Sequence, residues 1–481
     1  MTVGAKLTLH HPQAREVSIL HDQDWEGNAT GYPTVIQDGD RYRMYYRGHR
    51  YIVDGKKLRQ AQAEVTCYAE SPDGIRWVKP NLGLFEWKGS KENNIVWRGI
   101  GVHNFGPLID QNPDCPPDAR FKAVGGTVRT GLHAFKSADG IHWTPMHDEP
   151  IFTDGAFDSH NTAFWDPARG KYAMYFRYFT EGDFKGLRSL AVAYSDDFIH
   201  WSEATPLTYP DSPQQQMYTN GILPYYRAPH LLVGFPTRYI ARDMTEHVKH
   251  LDPVPLRTKL TASLPRAGSD LTDGVFMSSR DGITFRRWDE AFIRPGPQEA
   301  GRWIYGDNYQ SYGLVETTPS PSDGTAEISF YLSEGSWRDG ETLMRRYAIR
   351  VDGFVSGQAP LSGGEVITKP LKFTGKELTV NYSTSAAGSL RVEVQNAAGK
   401  PLPGFALDDC LEHFGDTLAQ PIRWKGGSDV SQLAGQPIRL RFVLKDAALY
   451  AFQFRNKQQS IDGDSLWEGA ETRESTRNAV Y

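Results

Sequence analysis

The chain holds only three cysteines in 481 residues, Cys67, Cys115 and Cys410, far apart and odd in number. That excludes a disulfide framework and the paired spacing of a structural zinc site. No run of about 18 apolar residues occurs, so no segment reads as a membrane-spanning helix. The N-terminal residues lack an apolar stretch of signal-peptide length. As written, the chain reads as cytoplasmic, or as secreted or periplasmic if a signal was removed before residue 1. Neither sign of charge dominates: 53 basic side chains stand against 58 acidic ones, well mixed, for a net charge of −5. Such a balance leaves no electrostatic footprint for nucleic acid. The 14 histidines show no metal-ligand spacing, and His10-His11 is terminal. No metal and no cofactor is expected. Helix signals are nearly absent from the first 350 residues.

What the chain does have is a seven-residue motif in four copies. These are Ser71-Pro72-Asp73-Gly74-Ile75-Arg76-Trp77, Ser137-Ala138-Asp139-Gly140-Ile141-His142-Trp143, Ser195-Asp196-Asp197-Phe198-Ile199-His200-Trp201 and Ser279-Arg280-Asp281-Gly282-Ile283-Thr284-Phe285. Asp can bond backbone N–H groups two residues on, and Gly supplies the positive φ of a tight turn. The terminal aromatic then drops into the groove between neighbouring sheets. Each motif therefore reads as a structural hairpin, and its Asp is a poor catalytic candidate. The spacing leaves room for one four-stranded sheet per copy, the signature of a propeller blade.

A second recurring unit, two Tyr-rich strands around a turn, precedes most of these hairpins. Its clearest copies begin at Tyr32 and Asn161, and weaker ones at Asn104, Tyr218 and Tyr312. Five units predict five blades, the fifth without the hairpin motif. From about residue 350 the rhythm changes to alternating strands, among them Leu378–Tyr382, Leu390–Val394, Ile438–Leu444 and Leu449–Phe454, which argue a β-sandwich. The expected fold is all-β: a five-bladed β-propeller over residues 1–349, a C-terminal β-sandwich over 350–456, and a polar tail over 457–481.

This architecture resembles the glycoside hydrolase superfamily of invertases and fructanases (family 32) and of arabinanases and xylosidases (family 43). Residues Ser71 to Trp77 followed by Lys79-Pro80-Asn81-Leu82-Gly83-Leu84, with the Tyr-rich strands, are similar to family 32-like N-terminal domains. The resemblance implies three carboxylates near the starts of the innermost strands of the first three blades, acting as nucleophile or base, transition-state stabiliser and general acid. Asp158, eight residues before the turn residue Asp166, fits that pattern in the third blade. The first blade has Tyr32-Pro33 where arabinanase-like families show Asp-Pro. The second has His103-Asn104 where invertase-like proteins show Arg-Asp.

Glycoside hydrolysis needs one carboxylic acid to protonate the leaving group and one carboxylate as nucleophile or base. Polar residues just ahead of an inner strand are best placed to supply them. Glu26, between Trp25 and Gly27, is one catalytic candidate, since an aromatic neighbour can raise a carboxyl pKa by desolvation. Asp158 is its partner, and Asp307 closes the set. Sugar hydroxyls call for polar and aromatic neighbours, expected here from His103, Asn104, His160, Asn161, Tyr218, Asn220 and Glu334. Arg47, Arg177 and Arg238, each following a second strand, form an expected cationic wall for a substrate carboxylate, or else salt bridges to nearby acids.

The residues thus point to a glycosidase that cleaves O-glycosyl bonds of a carbohydrate in exo fashion, with a furanoside favoured by the resemblance alone. Two other readings stand beside it. One is a carbohydrate-binding propeller without turnover, and the other a sialidase-like or lyase enzyme acting on an acidic sugar.

Overall fold

The computed structural model of the chain describes residues 1–299, 302–319, 324–338, 340 and 342–456, together with the backbone of 477–479. The expected tail, 457–481, lies otherwise outside the described residues. The protein is nearly all-β. It divides into two compact units, one of Pro12–Ala348 and one of Met1–His11 with Ile349–Tyr481.

Five antiparallel four-stranded sheets build the larger unit. The first contains Gly31–Asp38, Arg41–Gly48, Val65–Ser71 and Ile95–Trp97. The second contains Gly106–Ile109, Phe121–Thr127, Gly131–Ser137 and Thr144–Pro145. The third contains Thr162–Asp166, Lys171–Phe179, Arg188–Ser195 and Thr205–Pro206. The fourth contains Leu223–Tyr225, Ala228–Gly234, Met277–Ser279 and Arg286–Arg287. The fifth contains Val315–Thr317, Glu327–Glu334 and Leu343–Arg350, and takes its fourth strand, Gln13–Leu20, from near the N-terminus. That borrowed strand explains why the fifth unit lacks the hairpin motif. It also places residues 1–11 in the other unit, where Thr2–Val3 and Lys6–Leu9 pair with Gly364–Ile367 and Val355–Ala359.

The sheets follow one another in a closed circuit. First strands of sheets one to four are neighbours in order. Phe235 of the fourth sheet's connection stacks on Phe330 of the fifth at 6.2 Å. Tyr312, just before the fifth sheet, exchanges backbone hydrogen bonds with Pro33 and Val35 of the first, both 2.8 Å.

The four hairpin motifs fasten neighbouring sheets. In the first, Asp73 Oδ1 accepts from the N–H groups of Ile75 (2.9 Å) and Arg76 (2.8 Å), and Ser71 Oγ accepts from Gly74 N–H at 2.9 Å. The residue after each Asp has positive φ: 70° at Gly74, 76° at Gly140, 71° at Phe198 and 75° at Gly282. In three of the four, a tyrosine of the preceding sheet donates to the carbonyl of that residue. Tyr45 bonds Gly140 and Tyr175 bonds Gly282, both at 2.9 Å, and Tyr331 closes the circuit on Gly74. The motif's last aromatic meets the same tyrosine edge-to-face, Trp77 on Tyr331 at 5.4 Å and Trp143 on Tyr45 at 6.3 Å. Such pairs add about 0.5–1.5 kcal/mol each beyond area burial. The expectation of inter-sheet aromatics is met, and the Asp carboxylates are taken up by N–H groups of their own turns.

Two insertions were not legible as such. The hairpin Tyr51–Asp54 and Lys57–Gln60 extends the first sheet's connection. Residues between the strands Thr237–Ile240 and Leu271–Gly274 form three short helices, Glu246–Lys249, Val254–Ser263 and Pro265–Ser269. These short helices stand in a region where helix signals are nearly absent from the sequence. The smaller unit contains one hydrogen-bonded sheet of eight strands. Segments read as separate strands merge there into Glu377–Asn396 and Ile438–Arg455, paired along their lengths with register shifts at Asn381/Tyr382 and Thr384/Ser389. Leu378, Val380, Leu390, Val392, Leu440 and Phe442 face its core.

Candidate active site

Within the larger unit, the approaches to the first strands bring together tyrosines, arginines and one half-exposed acid. Phe157 and Ser159 are wholly buried, which leaves the intervening Asp158 turned outward, its side chain 48% exposed. Its carboxylate is ion-paired with Arg177. Its carbonyl accepts a hydrogen bond from Tyr32 Oη at 3.1 Å. Arg177, buried in the strand Lys171–Phe179, carries its guanidinium 4.8 Å from the centroid of the Tyr218 ring. Arg188 stands 6.0 Å from the same ring.

Tyr218 is the electrostatic centre of the group. Tyr305 Oη donates to Tyr218 Oη at 3.1 Å, and Arg266 Nη1 donates to Tyr305 Oη at 2.8 Å. Burial by itself raises the phenol, but Arg177, the Tyr305 hydrogen bond and Arg266 outweigh it and bring Tyr218 down to about 7. The relay from Arg266 through Tyr305 favours the phenolate at Tyr218 and keeps the proton on Tyr305, whose own pKa is raised by burial and by Tyr218.

Tyr32 and Tyr309 complete the lining. Tyr32, held at φ 52°, lies 6.2 Å from Tyr309 and 5.8 Å from His103, with the Arg47 guanidinium 4.8 Å from its centroid. Tyr309 in turn lies 5.4 Å from Tyr218. A bulky residue in the left-handed region costs backbone energy and persists only where its surroundings fix it, as sites often do. Behind Tyr32, Glu64 gathers Arg47 (3.7 Å), His49 Nδ1 (2.5 Å) and His103 Nδ1 (2.9 Å). These partners outweigh burial and hold its carboxyl far below the usual range. Burial and Arg47 lower His103, against the pull of Glu64. Four guanidinium groups, Arg47, Arg177, Arg188 and Arg266, thus stand around the tyrosines with three carboxylates: Asp158, Glu64, and Asp270, which accepts from Tyr239 beside Tyr218.

Other expected site residues are placed elsewhere. Glu26 is wholly buried, and its carboxylate accepts from Tyr46 Oη (2.6 Å), Lys79 Nζ (2.8 Å) and the Gln23 N–H (2.9 Å). Its partners share no residue with those of Asp158, so the expected pair does not meet. Asp307 is also buried. Its Oδ1 accepts from the Ser336 N–H at 2.9 Å, its Oδ2 has no hydrogen-bond partner among the described residues, and burial raises it well above the usual carboxylate range. Glu334 is held by Arg345 Nε (3.1 Å) and Tyr347 Oη (3.0 Å). Arg238 forms a two-pronged pair with Asp273 at 2.8 and 2.6 Å, in the small sheet of Gln216–Met217, Thr237–Ile240 and Leu271–Gly274.

Three asparagines expected to bind sugar are instead buried braces. Asn104 donates to Phe157 O and Ser159 O, Asn161 to the same two carbonyls at 3.1 Å each, and Asn220 to His160 O (2.9 Å) and Tyr175 O (3.1 Å). Inner strands that converge leave carbonyls without ladder partners, and these amides satisfy them. His160 is buried against Thr34 at 3.2 Å, and desolvation lowers it to about 3. Of the expected set, Arg47, His103, Asp158, Arg177 and Tyr218 share the site, and His160 borders it with its ring 5.7 Å from Tyr32. Reading the sequence missed Glu64, Arg188, Arg266, Tyr32, Tyr305 and Tyr309. The run Trp303-Ile304-Tyr305-Gly306-Asp307-Asn308-Tyr309 carries a signal in its two tyrosines, which flank the acid Asp307. Among the described residues no group of three or more His, Cys, Asp or Glu side chains is arranged to hold a metal ion. No helix among them is long and apolar enough to cross a membrane.

No family model matches the chain. An uncharacterized protein of Mycobacterium tuberculosis is 29% identical over 121 residues, which cover 25% of this chain and 36% of that protein. The match therefore spans about a third of the curated relative's length. Among solved structures, the chain is similar to a glycoside hydrolase with a TM-score of 0.46 and 13% identity, over 72% of this chain and 93% of that one. It is similar to a glycosyl hydrolase from Bacteroides ovatus with a TM-score of 0.41 and 15% identity, over 72% and 97%. It is also similar to an N-acetylgalactosamine deacetylase from F. plautii, in complex with blood group B trisaccharide, with a TM-score of 0.41 and 14% identity over 71% and 94%.

Proposed function

We propose that the five-sheet circuit is a five-bladed propeller, that the smaller unit is a β-sandwich, and that the protein is a glycosidase acting on a saccharide with an acidic group. The observation that carries this reading is the placement of Arg177, which pairs with the outward carboxylate of Asp158 and faces the Tyr218 ring at 4.8 Å. One cation thereby sets both an acid–base group and a carboxylate at one place. Asp158 is the nucleophile or the base for water, and Tyr218 gives its phenolic proton to the leaving oxygen as the glycosidic C–O bond breaks. A proton donor works best with a pKa near the working pH, which Tyr218 at about 7 satisfies. The surplus of guanidinium groups over carboxylates favours an anionic sugar, since planar guanidinium matches carboxylate or sulfate in two-pronged fashion.

A second reading is favoured by the same lowered phenol. On a uronate chain, the phenolate of Tyr218 removes the proton beside the carboxyl group while guanidinium groups neutralise the carboxylate. The C–O bond at the adjacent carbon then breaks, a double bond forms, and Tyr218 returns the proton to the leaving oxygen.

The test is incubation with neutral and uronate-bearing oligosaccharides, with products weighed by mass spectrometry and Asp158→Asn run in parallel. Products that together gain one water per cleavage, absent with Asp158→Asn, support hydrolysis. Unsaturated products of unchanged total mass support elimination. Binding without any product supports a carbohydrate-binding propeller in place of an enzyme.

A further inference from the structure

Beside the tyrosine–arginine group, the larger unit contains a cavity of about 290 Å³ between the hairpin Tyr51–Asp54 and Lys57–Gln60, the helix Val254–Ser263 and the segment around Trp337. That size sits near the lower end of small-molecule pockets, about 300–1,000 Å³. Leu58, Leu256 and Leu260 give it an apolar side. Tyr51 and Trp337 give it an aromatic one, their ring centroids 4.9 Å apart and their planes inclined by 30°. Lys259, exposed on the helix, stands at its rim.

The cavity adjoins the candidate active site across the packed pair Trp337 and Tyr305. Trp337 stacks on Tyr305 at 6.3 Å and 27°, and its indole N–H donates to Tyr305 O at 2.7 Å. Tyr305 is the residue that bonds Tyr218. Leu260, Tyr305 and Tyr218 belong to one buried cluster, against which Leu58, Leu256 and Trp337 pack. Trp337 holds its place at φ 70°, where a tryptophan is strained, and its N–H donates to Asn28 O at 2.7 Å. A tryptophan whose backbone is strained and whose indole and main-chain N–H groups are both bonded is a preorganised surface rather than a loosely packed side chain.

We propose that this cavity is a second saccharide subsite, which takes the sugar residue adjoining the one held at Tyr218 in an acidic oligosaccharide, with Lys259 pairing its acidic group. The inference rests on the reading of the central group as a site for acidic saccharides. A pyranose or furanose ring presents one face of C–H groups and a rim of hydroxyls, so it suits a cavity with aromatic and aliphatic walls and a polar mouth. The charge at the mouth matches the cationic character next door. The cavity's size fits one ring and not an extended peptide.

Affinity is measured by calorimetry for mono- and disaccharides of the galacturonate, glucuronate and mannuronate series. The Asp158→Asn protein is used so that turnover does not intrude. A disaccharide is expected to bind about ten-fold more tightly than its monosaccharide. Adding Leu256→Arg, which fills the cavity, should bring that ratio close to one. Adding Lys259→Glu should cut it several-fold, and because Lys259 is exposed this variant keeps the test open if Leu256→Arg does not fold. A ratio near one before either change, or a ratio that neither change moves, overturns the subsite. If a monosaccharide still binds in that case, and loses affinity on Arg177→Met, the reading of the central group stands alone. If no saccharide of these series binds, both fall.

Discussion

The Arg177 guanidinium lies 4.8 Å from the centre of the Tyr218 ring while its other edge is ion-paired with Asp158. Removing that cation acts on both residues. Arg177→Met should let Tyr218 return toward the ordinary phenol range and lower turnover at neutral pH by about 10²–10³-fold, the size expected when a positioned acid–base group loses its tuning. A pH–rate profile checks this: the variant's dependence on Tyr218 should move to higher pH. An unmoved profile would count against the assignment.

Tyr218→Phe removes the titrating group itself. In the hydrolytic reading the parent needs the protonated phenol, so its rate falls as pH rises through about 7. In the eliminating reading it needs the phenolate, so its rate climbs over the same range. Either limb should vanish in the Phe variant, and ultraviolet difference titration against the parent should reveal one phenolate fewer near neutrality.

Glu26→Gln separates structure from catalysis. Its carboxylate is buried with Lys79 at 2.8 Å, and breaking a buried pair by neutralising one member is costly, on the order of 3 kcal/mol. Chemical denaturation should show that loss, while turnover per folded molecule stays near that of the parent. A collapse of turnover with full stability would restore Glu26 to the catalytic set.

Asp307 predicts a pH dependence of stability. Burial raises its folded pKa well above the model-compound value of 3.8. The folded state then binds the extra proton, so this residue's contribution is fully present below about pH 4 and is lost as pH rises toward the folded pKa. Asp307→Asn keeps an oxygen for the Ser336 N–H and cannot ionise. Calorimetric unfolding of the two proteins should show the variant gaining on the parent as pH rises above about 4. A constant difference would mean that Asp307 is ionised in the fold.

The repeated hairpins were legible because everything they need is local. Asp73, Gly74 and Trp77 turn the chain, and only the donating tyrosine, Tyr331, comes from afar. The site was legible only in part, since burial and not residue type decides which polar groups are available. Asn104, Asn161 and Asn220 stand at the right places along the chain but are consumed by carbonyls of converging strands. Arg266 and Glu64 lie in insertions whose approach to Tyr305 and His103 no spacing reveals. The merged strands of the smaller unit escaped for a related reason. The register shift near Thr384 breaks the alternation without breaking the pairing.

The strand Gln13–Leu20 finds its partner only at Leu343–Arg350, with Leu20 opposite Leu343. On a translating ribosome that partner emerges roughly 20–60 s later, at about 5–20 residues per second. Until then the leading segment is an unmatched β-strand beside a growing chain full of sheet edges, the kind of exposure that invites mispairing. The vulnerable period of this molecule is therefore its synthesis. A chaperone that shields residues 13–20 in that interval would raise the yield of native protein while leaving its melting temperature untouched.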